Sequence, residues 1–387
     1  MSAIPYARQS VNQDDIDAVV QVLRSDWLTQ GPAIARFEEA VAAYCGARHA
    51  IAVSSGTAAL HLGCLALGLG PGDLLWTSPN SFVASANCAR YCGAQVDFVD
   101  IDPRSGNMSV AALEEKLARA QRAGRLPKVL VPVHFGGQSC DMQSIGALAA
   151  RHGIRVLEDA SHAAGAEYRS ARVGACPHSD IAVFSFHPVK VMTTGEGGML
   201  LTNDDTLARQ LRLLRTHGIT RDAHDLSAAS EGPWYYEQVA LGYNCRMTDF
   251  QAALGTSQLG RLDEFLARRR ELVRRYDAAL QRLPLATPFQ DPAGRSAWHL
   301  YVIRLELEAL GVTRRIVFER MRAAGILVNV HYIPVHLQPY YRALGFKPGD
   351  FPESERHYAR AISLPLYFDL THADLDRVAA TLRESLH

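Results

Sequence analysis

Ile181-Ala182-Val183-Phe184-Ser185-Phe186-His187-Pro188-Val189-Lys190 joins a short strand to a lysine-bearing turn. Residues 181–186 are an apolar run of strand length, and the proline at 188 ends it. Thr193-Thr194-Gly195-Glu196-Gly197-Gly198 then leads into a second apolar strand, Met199–Thr202. Lys190 therefore stands on a turn at the carboxyl end of a strand, the edge where open α/β sheets place their ligands. The chain has four lysines against thirty-six arginines. Arginine keeps its proton, whereas a desolvated lysine amine can lose it and attack a carbonyl carbon. Lys190 is a Schiff-base candidate, and a solvated loop lysine is the plainer alternative. The other three read blandly: Lys116 in an amphipathic stretch, Lys128 before an apolar strand, Lys347 in a Pro-Gly turn.

Working outward, apolar runs near 49–53, 73–77, 96–99, 129–133, 154–158, 181–185 and 199–202 read as strands. Helical runs such as Val110–Ala123 and Met142–His152 separate them, and a helix Gln13–Ser25 precedes them. This alternation predicts a mainly parallel sheet covered on both faces. Thr248–Leu280 reads as one long connecting helix, followed by a smaller α+β unit with Leu300–Leu305, Arg314–Ala324, Ile326–Val330 and Thr371–Leu386. The expected division is 1–250, a large α/β domain with an N-terminal segment, and 251–387, the connector and small domain.

Three further positions belong to the same sheet edge. The strand Gly153–Glu158 ends on Asp159, which could cap a helix or pair with a pyridinium nitrogen beside an imine-forming lysine. The strand His49–Val53 runs into Ser54-Ser55-Gly56-Thr57-Ala58-Ala59, where a helix starts with free N–H groups. That is an anion site, or a plain turn capped by Ser55 or Thr57. Phe82, after Trp76-Thr77-Ser78-Pro79-Asn80-Ser81, is either core or a ring for stacking. Gly68-Leu69-Gly70-Pro71-Gly72 ends a helix and precedes a strand, the reverse of dinucleotide-binding order.

Together these segments resemble the DegT/StrS group of fold type I (aspartate-aminotransferase-like) pyridoxal-phosphate enzymes, which aminate nucleotide-linked keto-sugars, over essentially the whole chain. The resemblance implies that Lys190 bonds the cofactor, Asp159 pairs with its ring nitrogen and Phe82 stacks on its face. Gly56, Thr57, Ala58 and Ser185 would surround the phosphate, His162 would touch the ring hydroxyl, and Asn244 would reach the phosphate of a neighbouring subunit in a homodimer. Within the group, Asn80–Asn87, Ser185–Lys190 and Val330–His336 are similar to the 4-aminotransferases of pseudaminic acid formation. Those enzymes take L-glutamate and a UDP-linked 4-keto sugar to UDP-4-amino-4,6-dideoxy-N-acetyl-β-L-altrosamine. On that likeness Tyr6, Leu28, Thr29, Gln30, Gly31, Asn329, Val330, His331 and Tyr332 are nucleotide-sugar contacts. A different UDP- or dTDP-linked keto-sugar, and a non-catalytic cofactor-binding regulator, are the alternatives. Deoxygenating relatives resemble this chain with His in place of the lysine. Trp76 and Glu231–Tyr236 match no family feature.

Composition agrees. Forty basic and forty acidic residues leave no formal net charge, so no electrostatic case exists for a nucleic-acid or membrane-surface partner. Seven scattered cysteines without a C-x-x-C pair read as reduced thiols of a cytoplasmic enzyme. Met1–Tyr6 lacks a basic-then-apolar leader, and no apolar run reaches spanning length. The fifteen histidines contain no H-E-x-x-H, and His331 and His336 are split by a proline, so no metal is expected.

Overall fold

A computed structural model describes residues 3–227 and 229–387. After a short strand β1 (Ile4–Pro5), seven strands form the main sheet: β2 (His49–Val53), β3 (Leu74–Thr77), β4 (Gln95–Phe98), β5 (Val129–Val131), β6 (Arg155–Asp159), β7 (Ile181–Ser185) and β8 (Gly198–Thr202). Their order is β2-β8-β7-β6-β5-β3-β4. Strand β8 runs antiparallel to both neighbours, and every other pairing is parallel.

The strands are apolar on both sides because both faces are covered. Ile51, Val53, Val129, Val131, Ile181, Val183 and Leu200 pack toward α3 (Gly56–Ala66), α4 (Ala84–Tyr91) and α7 (Asp205–Arg215). The alternate residues Ala50, Ala52, Ala182, Phe184 and Leu201 face α2 (Pro32–Cys45), α8 (Asp249–Gly260) and the start of α9 (Leu262–Leu280). Farther along the sheet, Trp76, Leu130 and Val156 meet α5 (Val110–Arg122) and α6 (Met142–Arg151). Each fully buried Leu or Val contributes about 1.5–3 kcal/mol relative to exposure, so this period-two split specifies strand register.

The C-terminal part has a three-stranded antiparallel sheet: β9 (Leu285–Ala286), β10 (Tyr301–Leu305) and β12 (Ala361–Leu364), with β10 in the middle. Leu272, Tyr276, Ile303, Met321, Val378 and Leu382 form its core with α9, α10 (Arg314–Ala323) and the helix His372–Ser385. Ile4 joins that core, and β1 pairs parallel with β11 (Ile326–Leu327).

The expected helix Thr248–Leu280 is two helices, divided at Arg261. Gly260, a poor helix former, precedes the break. Arg261 leaves helical geometry at ψ 1°, with its guanidinium over the Phe265 ring and 3.5 Å from Asp15. Trp76 is a core residue, and the Lys116 ammonium lies 4.8 Å from its ring centroid.

Candidate active site

The carboxyl ends of β2, β6 and β7 open into a cavity of about 750 Å³. Twelve of the expected site residues line it: Tyr6, Gly56, Thr57, Phe82, Asp159, His162, Ser185, Lys190, Asn329, Val330, His331 and Tyr332. Ser54, Ser55, Ser161, His187, Glu196 and His299 line it too, and of these only Ser55 was marked in the sequence, as a helix cap.

The loop after β7 is pinned over Lys190. Lys190 N donates to His187 O (2.9 Å), Thr194 N donates to Phe186 O (3.0 Å), and Thr193 Oγ1 donates to the same carbonyl (2.9 Å). Two other lysines are engaged: Lys116 pairs with Asp97 at 2.7 Å and Lys128 with Asp73 at 2.9 Å. Lys190 is half-buried, and among the described residues its Nζ has no hydrogen bond or ion pair. Burial disfavours its charged form and lowers its pKa to about 8, against the opposing pull of the Asp159 carboxylate. A neutral amine is therefore accessible near physiological pH, which a solvated loop lysine would not offer.

Asp159 is buried at the end of β6, and no helix follows it, which removes the capping alternative. Its Oδ2 accepts from Ser85 Oγ at 2.6 Å and its Oδ1 from Ser161 N at 3.1 Å.

Helix α3 begins where β2 ends. Ser55 caps it by accepting from Ala58 N (3.1 Å), so the Ala58 amide is used internally and Ala58 does not line the cavity. Gly56 and Thr57 do, at the positive end of the helix dipole. A Cβ on Gly56 would lie 2.8 Å from Ser185 Cβ, and one on Gly198 would lie 2.4 Å from Ser55 O. The glycines thus let three strand ends close around a small anion cradle.

The opposite wall is aromatic. Phe82 is 58% exposed, into this cavity and not into the core, and its ring centroid is 6.5 Å from that of Tyr332. Gly136 N–H points at His162 Nδ1 (3.3 Å), which assigns the ring proton to Nε2, 3.1 Å from Tyr332 Oη. The Tyr332 hydroxyl proton is left for an acceptor in the cavity. Burial holds His162 well below the ordinary histidine range, and the Lys190 charge adds to it. His331, bonded through Nδ1 to Ser363 Oγ at 2.7 Å, is pushed down to about 3 by burial and then by Lys190. The His299 ring centroid lies 4.4 Å from that of His162, the rings tilted by 43°, and His299 is also held low, first by burial. These imidazoles stay neutral beside the lysine, and burial likewise keeps Tyr332 protonated.

Leu28, Thr29, Gln30, Gly31 and Asn244 do not line this cavity. Asp249 N donates to Leu28 O (3.0 Å), Thr29 bridges to Thr248, and Gly31 N donates to Asp249 Oδ2 (2.8 Å). Gln30 and Gly31 line a separate hollow with Arg215 and Arg246. Asn244 is exposed and bridges to Thr216. Residues 231–236 lie on the surface and do not line the cavity either. Among the described residues no cluster of His, Cys, Asp or Glu is placed to hold a metal ion, all seven cysteines are free, and no helix is long and apolar enough to cross a membrane.

The donor set suits pyridoxal phosphate: an amine of lowered pKa, a buried carboxylate, an aromatic face and a glycine-lined cradle at a helix N-terminus. Comparison with known proteins agrees. The model of the DegT/DnrJ/EryC1/StrS aminotransferase family matches residues 9–383. The spore coat polysaccharide biosynthesis protein SpsC of Bacillus subtilis is 43% identical over 384 residues, covering 98% of this chain and 96% of its own. Helicobacter pylori PseC, an aminotransferase of pseudaminic acid biosynthesis, superposes with a TM-score of 0.90 at 30% identity, over 100% of this chain and 99% of its own. The PLP-form of Spr1654 from Streptococcus pneumoniae gives 0.89 at 28% identity, over 99% and 98%. The chain is a pyridoxal-phosphate-dependent sugar aminotransferase and belongs to the DegT/DnrJ/EryC1/StrS family.

Proposed function

We propose that the amino group moves from L-glutamate to C4 of a UDP-linked 4-keto-6-deoxy-N-acetylhexosamine in the cytoplasm. The product is then UDP-4-amino-4,6-dideoxy-N-acetyl-β-L-altrosamine, a step toward pseudaminic acid. The observation that carries the reading is the extent of the cavity. It continues past Lys190 to a wall of Tyr6, Asn329, Val330, His331 and Tyr332, and about 750 Å³ leaves room for a sugar beside the cofactor. The likeness to PseC supports the choice of sugar.

Pyridoxal phosphate, when bound, supplies the electron-accepting ring and carries the amino group between the two substrates. Gly56, Thr57 and Ser185 would hold its phosphate, Phe82 its ring face, Asp159 the proton on its ring nitrogen, and His162, acting through the Tyr332 hydroxyl it orients, its ring oxygen. Lys190 takes the proton from the α-carbon of glutamate and, with the sugar in place, delivers one to C4. The neutral His162, His299 and His331 do not compete for that proton. Tyr6 and Asn329, on the same wall, would hydrogen-bond the sugar oxygens.

We place a second copy of the chain across the site. Trp27, Leu28, Trp234 and Leu241 are 55%, 48%, 69% and 78% exposed, apolar side chains that a partner would cover. A partner in that position would bring Asn244 to the phosphate and Leu28–Gly31 to the nucleotide sugar, where their own chain does not.

The test is turnover against UDP- and dTDP-linked 4-keto and 3-keto 6-deoxysugars, with the position of the new amine fixed by NMR. The proposal expects a C4 amine on a UDP-linked N-acetyl sugar. Amination at C3, or of dTDP-sugars alone, contradicts it. A second reading keeps the reaction and changes the sugar, since identity to the spore coat polysaccharide protein, 43%, exceeds the 30% to PseC. The same panel separates the two.

A further inference from the structure

A polar chain that the reaction as described does not use runs to Asp159 from Ser81 on the cavity wall. Ser85, in the first turn of α4, donates from Oγ to Asp159 Oδ2 at 2.6 Å. Ser81 Oγ is 2.6 Å from Ser85 Oγ. The Ser85 proton is spent on the carboxylate, so the Ser81 hydroxyl must be the donor in the second bond. The chain runs one way, Ser81 to Ser85 to Asp159. All three side chains are buried, at 3%, 1% and 5% exposure, which strengthens each bond. Pro79 and Asn80 anchor the loop: Val335 N donates to Pro79 O (2.9 Å) and Asn80 Nδ2 to Gly106 O (3.1 Å).

We infer that Ser85, backed by Ser81, is a positioning residue that keeps Asp159 ionised and oriented, so that the proton between Asp159 and the cofactor ring stays on the ring nitrogen. The inference rests on the proposed role of Asp159. A hydrogen bond donated to a carboxylate stabilises its charged form. With Ser85 in place the favoured pair is carboxylate and pyridinium. Without it the balance of the proton shifts toward the carboxyl oxygen, and the ring's pull on electrons weakens. Oδ1, served by the Ser161 amide, cannot replace the donor on Oδ2.

The measurement uses holoenzyme loaded with cofactor labelled with ¹⁵N in the ring, because the nitrogen shift reports directly where the proton sits. The wild type should give a pyridinium-like shift, and Asp159→Asn an unprotonated one. Ser85→Ala should fall between, with the protonated-to-unprotonated ratio down at least about tenfold, one pKa unit. Its kcat should fall with little change in KM for the sugar, and Ser85→Thr, which restores a hydroxyl, should recover both readouts. Ser81→Ala should shift in the same direction but less, and it carries the test if Ser85→Ala does not fold. A wild-type nitrogen shift in Ser85→Ala, or in Ser81→Ala where that is the folded variant, with a changed one in Asp159→Asn, overturns the inference alone. A wild-type shift in Asp159→Asn overturns the role of Asp159 as well.

Discussion

Lys190→Arg retains the charge but cannot become neutral, so it should abolish transamination, a loss of several orders of magnitude, while circular dichroism and melting temperature stay close to wild type. Substantial turnover by that variant would remove Lys190 from the chemistry. Because burial lowers the Lys190 pKa to about 8, capture of added cofactor by apoenzyme should quicken as pH rises and level off above about 8. Stopped-flow absorbance reads this, and a rate still climbing near pH 10, the ordinary lysine range, would contradict a lowered pKa. Asp159→Asn is nearly isosteric and should cost two or more orders of magnitude in kcat with little change in stability. Lys190 and Asp159 were legible because residue type and strand position coincide: a rare lysine and an acid, each ending an apolar run. Ser85 was not legible, since Ser81 lies in the loop before α4 and no helical spacing pairs the two hydroxyls. Nor was His299, because its contact with His162 joins segments 137 residues apart, and no local pattern carries that pairing.

At the scale of elements, the site exists because β8 runs backwards between β2 and β7 and brings Gly198 against both Val53 and Ser185. Gly198→Ala would place a methyl 2.4 Å from Ser55 O and push the start of α3 away. Overpacking of this kind typically costs about 1–3 kcal/mol, and here it strikes the phosphate cradle. Thermal unfolding of apoenzyme and a cofactor titration should show lower stability and at least about tenfold weaker cofactor binding, a factor worth 1.4 kcal/mol. Unchanged affinity would mean that the cradle lies elsewhere. All seven main strands were legible to within two residues: the central ones read as nearly continuous apolar runs because both faces are buried, and β4, at the sheet edge, reads as an alternation of polar and apolar residues. The direction of β8 was not, because pairing sense depends on the partner and leaves no mark in the run itself. The division at Arg261 was hidden for a similar reason: apolar spacing continues across it, and tertiary contacts of the arginine turn the chain.

For the whole molecule, the placement of Asn244 outside its own cavity leads to a complementation test. Lys190→Ala and Asn244→Ala, each expected to be weak or inactive, are mixed under conditions that allow subunit exchange. In a two-fold dimer one site then collects both lesions and the other has neither, so activity should return to about one intact site per heterodimer. No recovery despite proven exchange would confine Asn244 to its own chain. The seven-stranded sheet was readable from the alternation of strands and helices, whereas the homodimer was expected from the family resemblance alone, because an interface is a property of surfaces that only the fold creates. Transamination by Lys190 is read from the visible absorbance of the cofactor-loaded protein, followed through both half-reactions. L-glutamate alone should bleach the cofactor band, a nucleotide-linked keto-sugar added afterwards should restore it, and Lys190→Ala should do neither. A band that glutamate leaves unchanged, or that returns without any keto-sugar, would contradict the account.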